Sequence, residues 1–280
     1  MSNSVKTAAV VISTYNRPKA LDLVLKGLSE QVRRANQIVI GDDGSGSETR
    51  DVIERCLQSG LPIEHCWHED QGYRKTVIMN QAFSRVRQDL TIFLDGDCIP
   101  SRNFVADHLR LWEPGVILAG PRILASETFT KKLEDRSERR SNWQAMTTAI
   151  PLKLSGAINR LAPLLRLPNG AWRLAKPAKW ELVRGCNFSV GTKDVWACDG
   201  FEESLYGWGP DDSDLAVRLI NLGVKVKTGR FACPVLHLWH KEESRHGLEK
   251  NRTYLQSAIS ERRIRAVTGL SSHGWTCPIA

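Results

Sequence analysis

Two aspartates flank a single residue in Asp95-Gly96-Asp97, directly after the apolar run 90–94. Paired carboxylates at a strand end can offer hard oxygen ligands to a divalent cation. A nucleoside diphosphate leaving group needs such a cation, because its phosphate charge must be neutralised. Farther along, His237-Leu238-Trp239-His240 places two imidazoles three positions apart. In a chain that already carries Asp-x-Asp, either histidine is a candidate metal ligand, and mixed carboxylate and imidazole ligation favours Mn²⁺ over Mg²⁺. In Gly207-Trp208-Gly209-Pro210-Asp211-Asp212-Ser213-Asp214 a tryptophan sits between glycines and three acids follow. Acids at a helix start complement its dipole. Alternatively the Trp208 face suits a sugar ring, and a carboxylate beside it can take a hydroxyl proton as general base.

Three further polar clusters fit one site, although each has a plain structural reading. Thr14-Tyr15-Asn16-Arg17, before Pro18, is a good helix start. Asp42-Asp43-Gly44-Ser45 reads as a turn with an Asp cap, or as a carboxylate accepting from a base N–H. Glu69 to Lys75 is either a charged surface loop or a source of Arg74 or Lys75 to neutralise a diphosphate.

The elements that must position these residues follow from hydrophobic periodicity. Strands are expected at 7–13, 37–41, 62–67, 90–94 and 116–119. Helices are expected from Pro18, from Ser47, over 75–86 and after Ser101. Strands alternating with helices imply a doubly wound, mostly parallel sheet. Ligands of such sheets bind outside the carboxyl ends of the strands, where the clusters after strands one to four all fall. The pattern breaks after Pro121: 127–140 is highly charged and helical in pattern, and 150–180 mixes Leu, Pro and basic residues. A second ordered stretch begins at Arg184, with a helix over 211–222 and a strand over 224–227.

The chain of 280 residues carries a net charge of +8, and that excess is local. Residues 131–180 hold eleven Lys or Arg against three Asp or Glu, and the remainder holds 28 of each sign. Nucleic-acid binding would therefore have to run through that segment, and it does not explain Asp97, Asp212 and His240 together. Seven cysteines, an odd number without a Cys-x-x-Cys pair, speak against a disulfide framework and a zinc knuckle. No stretch approaches the ~20 apolar residues of a membrane span. The apolar run 8–12 is too short for a signal-peptide core, so a cytoplasmic location is expected.

Taken together, Val11-Ile12-Ser13-Thr14-Tyr15-Asn16-Arg17, Asp42-Asp43-Gly44-Ser45 and Asp95-Gly96-Asp97 resemble the inverting family 2 glycosyltransferases of GT-A fold. The stretch 68–100 is similar to the N-terminal transferase module of bacterial chondroitin polymerase. Residues 184–240 resemble the C-terminal part shared with β-1,4-galactosyltransferases and polypeptide N-acetylgalactosaminyltransferases. The resemblance implies that Thr14, Tyr15, Asn16, Arg17, Asp42, Asp43, Arg74, Lys75, Asp95 and Gly96 bind a UDP-sugar donor, with Asp42 or Asp43 on the uracil and Asp95 near the ribose or donor sugar. It implies Asp97 and His240 as metal ligands with His237 beside them, Asp212 as general base, and Trp208, Gly209, Asp211 and Asn187 on the acceptor side. Pro210 and Ser213 depart from the galactosyltransferase pattern Gly-Gly-Glu-Asp-Asp, so acceptor identity does not carry over.

The expected organisation is a single GT-A domain: a nucleotide-sugar half over 1–120, a basic helical insertion over 121–183, an acceptor and catalytic half over 184–245, and a tail over 246–280. The insertion is expected either to meet an anionic membrane surface, where lipid-linked glycan acceptors reside, or to pack with a solvated basic face. The expected activity is inverting transfer of a hexose or N-acetylhexosamine in assembly of a bacterial surface polysaccharide, lipopolysaccharide or capsule. A sugar nucleotidyltransferase would want a glycine-rich loop after strand one, which Thr14 to Pro18 lacks. A non-catalytic carbohydrate-binding protein would not need a nucleotide site.

Overall fold

The computed structural model describes residues 6–135, 142–241 and 247–279. Strand β1 (Ala8–Thr14) explains the arrangement around it. Ala8, Val10 and Ile12 are sealed into one apolar layer, and Ala9 and Val11 into the other. A strand buried on both faces reads as a continuous apolar run without alternation. β2 (Gln37–Asp42), β3 (Ile63–Trp67) and β4 (Leu90–Asp95) lie beside it. With β6 (Val116–Ala119), β8 (Asn187–Gly191) and β9 (Lys225–Thr228) they form a seven-stranded sheet ordered β3-β2-β1-β4-β8-β6-β9. β8 alone runs antiparallel to its neighbours β4 and β6, so the sheet is mostly parallel, as expected.

The chain moves outward from β1 through β2 to β3, then returns to place β4 on the other side of β1. That reversal is the switch point at which α/β sheets open a crevice, and Thr14 and Asp95 stand on its two lips. Helices α1 (Pro18–Ser29), α2 (Ser47–Gln58) and α4 (Phe104–Leu111) cover one face with Leu21, Val24, Leu25, Val52, Ile53, Phe104, Val105 and Leu109. Helices α3 (Lys75–Phe83), α7 (Thr192–Ala197) and α8 (Asp211–Asn221) cover the other with Ile78, Phe83, Val195, Leu215 and Leu219. The sheet is thus doubly wound.

A second sheet has no counterpart in the sequence reading. β5 (Cys98–Pro100), β10 (Val235–His237) and β7 (Arg122–Leu124) pair in the order β5-β10-β7. Each strand is three residues long, too short to show a period. Its register sets His237 opposite Cys98, beside the second aspartate of the Asp-x-Asp turn.

The helical character expected over 121–183 holds only in part. α5 (Glu127–Asp135) and α6 (Met146–Leu154) are helices, and residues 136–140 of the expected charged helix lie outside the described residues. From 155 to 183 the described backbone has no α-helix, only short 3₁₀ turns at Ala162–Leu164, Ala171–Leu174 and Trp180–Leu182 and an isolated antiparallel bridge from Ile158 to Ala125. Pro163, Pro168 and Pro177 with Gly156 and Gly170 break any longer helix. One basic residue of this segment turns inward and another pairs with a buried carboxylate. Arg173 is 1% exposed and donates to the carbonyls of Leu167, Pro168, Thr228 and Arg230, while Arg166 pairs with buried Asp107. Helix α9 (Leu248–Ser260) occupies the expected tail. Among the described residues no helix is long and apolar enough to cross a membrane. Five of the cysteines are buried free thiols, Cys56 is half-buried and Cys277 is exposed.

Candidate active site

The carboxyl rim of the sheet gathers most of the residues singled out above. β4 ends at Asp95, and Gly96 N–H donates to the carbonyl of Ser13 at 2.8 Å, binding the Asp-x-Asp turn to the end of β1. Leu238 N–H donates to the Asp97 carbonyl at 2.9 Å, which carries the chain beyond β10 past the same turn. In consequence Asp97, His237 and His240 offer ligand atoms that all lie within 4.8 Å of one another. Asp97 Oδ1 is 3.8 Å from His237 Nε2, and Asp97 Oδ2 is 3.5 Å from His240 Nε2. One carboxylate and two imidazoles converging from separate strands fit a divalent transition metal, and Mn²⁺ accepts that donor mixture. Arg17 Nη1 also donates to Asp97 Oδ2 at 2.8 Å, while Arg17 Nη2 reaches the Trp239 carbonyl and Glu134. Positive charge therefore already faces this carboxylate.

A second charge cluster adjoins it. Lys75, the first residue of α3, places Nζ 3.1 Å from Asp95 Oδ1 and 3.8 Å from Asp211 Oδ2. Burial alone would lower the Lys75 ammonium, but Asp95 and then Asp211 outweigh it and hold the ammonium well above its ordinary value. Burial likewise pushes Asp95 up, yet Lys75 and the Ser13 hydroxyl, 2.8 Å away, leave it below the usual carboxylate range. Asp211 goes the other way: burial first, with the charges of Asp212 and Asp95 added, outweighs Lys75 and raises it to about 6. Asp212 Oδ2 accepts from Gly185 N–H at 2.5 Å, and its Oδ1 accepts from Ser213 N–H and Oγ, so both oxygens are oriented.

The loop after β2 is tied to the loop after β1. Asn16 adopts a left-handed φ of 45°, accepts from Gly46 N–H and donates its own N–H to Ser45 Oγ. Asp42 is 1% exposed and is engaged by Ser45 N–H and by His65 Nε2 at 3.1 Å. Asp43 accepts from Arg74 N–H and sits 2.6 Å from His68 Nε2. Burial raises its carboxyl, although His68 and Arg74 oppose the rise. Gly44 has φ +92° and any Cβ there would meet the Asp70 backbone at 2.6 Å, so the close approach of the two loops requires glycine. Aromatic side chains on the loops of this part of the chain are exposed: Tyr15, whose hydroxyl donates to Asp70, Trp67, whose ring N–H donates to the Ser45 carbonyl, Tyr206, whose hydroxyl donates to the Gln71 carbonyl, and Trp208 and Trp239. Asn251 of α9 holds the Trp208 loop by donating to the carbonyls of Tyr206 and Trp208 and packs against Gly209.

Two expectations change in the structure. Asn187 is fully buried and bonds to the carbonyls of Pro121 and Cys233 and to His108. It locks strand ends together and presents nothing to an acceptor. Arg74 does not extend into the crevice: its guanidinium returns to the Glu69 carbonyl at 2.7 Å. Sequence reasoning missed His65, His68 and Gly185. The two histidines belong to a strand and its exit loop whose register against β2 sets His65 opposite Ile40, a relation visible only once the strands are paired.

The chain matches the family model described as glycosyl transferase family 2 over residues 9–167. A second model, described as the N-terminal domain of galactosyltransferase, matches residues 170–241. Validoxylamine A glucosyltransferase of Streptomyces hygroscopicus subsp. jinggangensis is 28% identical over 242 residues, covering 82% of this chain and 55% of that protein. Chondroitin synthase of Escherichia coli is 25% identical over 229 residues, covering 77% of this chain and 32% of that protein. The chain thus spans about half or less of the length of these relatives. Among solved structures, GalNAc-T7 with UDP, GalNAc and Mn²⁺ superposes with a TM-score of 0.63 at 12% identity, covering 92% of this chain and 48% of that one. The mannosyltransferase PcManGT of Pyrobaculum calidifontis in complex with GDP-Man and Mn²⁺ gives 0.57 at 16%, covering 93% and 64%. At these identities the likeness establishes the fold, which is of the GT-A type.

Proposed function

Since the chain belongs to glycosyl transferase family 2, we propose that it is a metal-dependent inverting glycosyltransferase that moves a hexose or N-acetylhexosamine from a UDP-sugar to a glycan acceptor. We read the acceptor as part of a bacterial surface polysaccharide, lipopolysaccharide or capsule, and the enzyme as a cytoplasmic-face protein. The observation that carries this reading is the convergence of Asp97, His237 and His240 within 4.8 Å on the rim where Asp95, Lys75 and Asp211 also meet. The resemblance to a glucosyltransferase and a chondroitin synthase, and structural neighbours complexed with GDP-Man and Mn²⁺ or with UDP, GalNAc and Mn²⁺, support it.

In this reading Asp97, His237 and His240 hold a divalent cation, Mn²⁺ in preference to Mg²⁺, which when bound neutralises the diphosphate leaving group. The loops bearing Thr14 to Arg17 and Asp42 to Ser45 receive the nucleoside, with the exposed Tyr15 ring beside them. Asp95, held ionised by Lys75, faces the ribose or donor sugar. Trp208, Gly209 and Asp211 line the acceptor side. Asp212, whose carboxylate is aimed by Gly185 and Ser213, takes the proton of the acceptor hydroxyl. The acceptor oxygen then bonds to the anomeric carbon as the carbon–oxygen bond to the diphosphate breaks, and the configuration inverts. Residues 1–120 would thus supply the donor half and 184–245 the acceptor half of one domain. The PcManGT complex holds GDP-Man, so the base is part of the test. The protein is incubated with Mn²⁺, a panel of UDP- and GDP-sugars and bacterial glycan acceptors, and the product anomer is read by proton NMR. A β-linked product from an α-linked UDP-sugar is expected. A retained α-linkage, or transfer from GDP-sugars only, overturns the corresponding part of the proposal.

A further inference from the structure

Beyond Asp212 the same rim carries a group of arginines that the site above does not use. Arg122 opens β7, three residues after the end of β6. Arg230 stands two residues after the end of β9, and Arg184 three residues before β8. Because β8 runs antiparallel to β6 and β6 parallel to β9, its beginning and their ends fall on one rim. Gly229 N–H donates to the Ala119 carbonyl at 2.7 Å and Gly120 N–H to the Asn187 carbonyl at 2.9 Å, so these strand ends are bound together. Arg160 reaches in from the insertion and donates through Nε to the Arg122 carbonyl at 3.0 Å. Burial and then the charges of Arg122, Arg184 and Arg230 lower the Arg160 guanidinium, in keeping with the shared rim on which the strand ends place them.

None of these four guanidiniums pairs with a carboxylate among the described residues. Arg110, Arg166, Arg218, Arg263 and Arg265 find acidic partners, while other arginines such as Arg33 and Arg50 are engaged by a carbonyl or a ring; what sets the four apart is their gathering on one rim. Arg160 has a packing role through its carbonyl bond, and Arg230 lies over the Phe231 ring at 4.7 Å. Arg122 Nη1 points to the Cys186 thiol, 4.0 Å away. Arg160, Arg184 and Arg230 are exposed. Four like charges gathered without a carboxylate partner among the described residues repel one another, and the repulsion is relieved when an anion binds. Guanidinium forks match the planar, bidentate geometry of phosphate and carboxylate. The group lies next to the reacting side of the crevice, since Arg184 precedes Gly185, whose N–H holds Asp212 Oδ2.

We propose that Arg122, Arg160, Arg184 and Arg230 form an anion subsite on the acceptor side of Asp212, so that the acceptor glycan carries a phosphate or carboxylate group beside the hydroxyl that is glycosylated. This assignment rests on the glycosyltransferase reading for the word acceptor, and the test separates the two. Calorimetric titrations of the intact protein use glucose 1-phosphate, glucuronate and methyl glucoside as probes, each with and without UDP and Mn²⁺. At least one anionic probe is expected to bind ten-fold or more tightly than methyl glucoside, and to lose most of that advantage at 300 mM salt. The tighter of the two anions identifies phosphate or uronate as the group read. The doubly substituted Arg184→Gln, Arg230→Gln protein, whose UDP titration and circular dichroism report its folding, is expected to lose the preference. Equal binding of all three probes, no binding of either anion up to 20 mM, or an unchanged preference in the folded double variant overturns the subsite. Failure of UDP to bind strikes instead at the glycosyltransferase reading, and the titrations without nucleotide still decide the subsite.

Discussion

Replacing Lys75 by methionine keeps the side chain's length and removes the cation between two carboxylates. Its Nζ lies 3.1 Å from Asp95 and 3.8 Å from Asp211. At an effective dielectric of ~20 each attraction is worth roughly 4–5 kcal/mol before desolvation is subtracted. The three side chains are between 16% and 26% exposed, so solvent screens the group only partly. Removing one partner of such a buried set typically costs about 3–5 kcal/mol. The loss should depend on pH through Asp211. In the wild type its folded-state value is about 6 against an ordinary 3.8. A carboxyl raised in this way favours the fold most below 3.8, and that contribution is lost as pH rises through about 6. The rise corresponds to roughly 3 kcal/mol. Without Lys75 the ionised form of Asp211 loses its cation, so the decline continues to higher pH. Guanidinium unfolding at pH 5 and pH 8 should show the variant about 1–2 kcal/mol less stable than wild type at pH 5 and about 3 kcal/mol or more at pH 8. A gap that does not widen with pH, or one below 1 kcal/mol at pH 8, would refute the reasoning. The same widening surviving in an Asp211→Asn background would place its origin elsewhere.

Other expectations follow from the same geometry. Asp212→Asn should bind UDP and Mn²⁺ within about two-fold of wild type while transfer falls by roughly 10²–10⁴, the usual share of a general base; product formation at the normal rate would exclude Asp212 as that base. His237→Ala and His240→Ala should each weaken Mn²⁺ binding by about ten-fold or more, as loss of even outer-shell partners does, read by titrating metal against the UDP-loaded protein. Asn187→Ala leaves the Pro121 and Cys233 carbonyls and His108 without their buried partner, so it should cost about 2–4 kcal/mol of stability and leave the KM for acceptor unchanged. A raised KM with unaltered stability would restore Asn187 to the acceptor side.

The first part of the sheet was legible in the sequence, because β1, β2 and β4 are buried on both faces and announce themselves as uninterrupted apolar runs followed by polar turns. The switch-point rule then put Thr14, Asp43 and Asp95 on one rim before any pairing was known. What escaped were features made by long-range register. β5, β7 and β10 are three residues each, and only their pairing brings His237 next to Asp97. β8 enters antiparallel, so Arg184 to Cys186 reach the rim from the amino end of a strand, which the rule does not anticipate. Asn187 was misread for that reason: its place in the sequence is next to the site, but its side chain points into the seam between strand ends. In the insertion Lys153, Arg160, Arg166, Lys176 and Lys179 are exposed, as a solvated basic face requires, and Arg173 departs from that pattern by satisfying four carbonyls from within, a role that only the folded chain reveals.

The proposed role of Asp97, His237 and His240 is to create a cation-dependent nucleotide site. Its most direct test is calorimetric titration of metal-stripped protein with UDP, with and without Mn²⁺, repeated on Asp97→Ala. Strong UDP binding is expected only when Mn²⁺ is present, with loss of that dependence in the variant. Equal UDP affinity with and without the metal, or an Asp97→Ala protein that keeps the full Mn²⁺ effect, would contradict it.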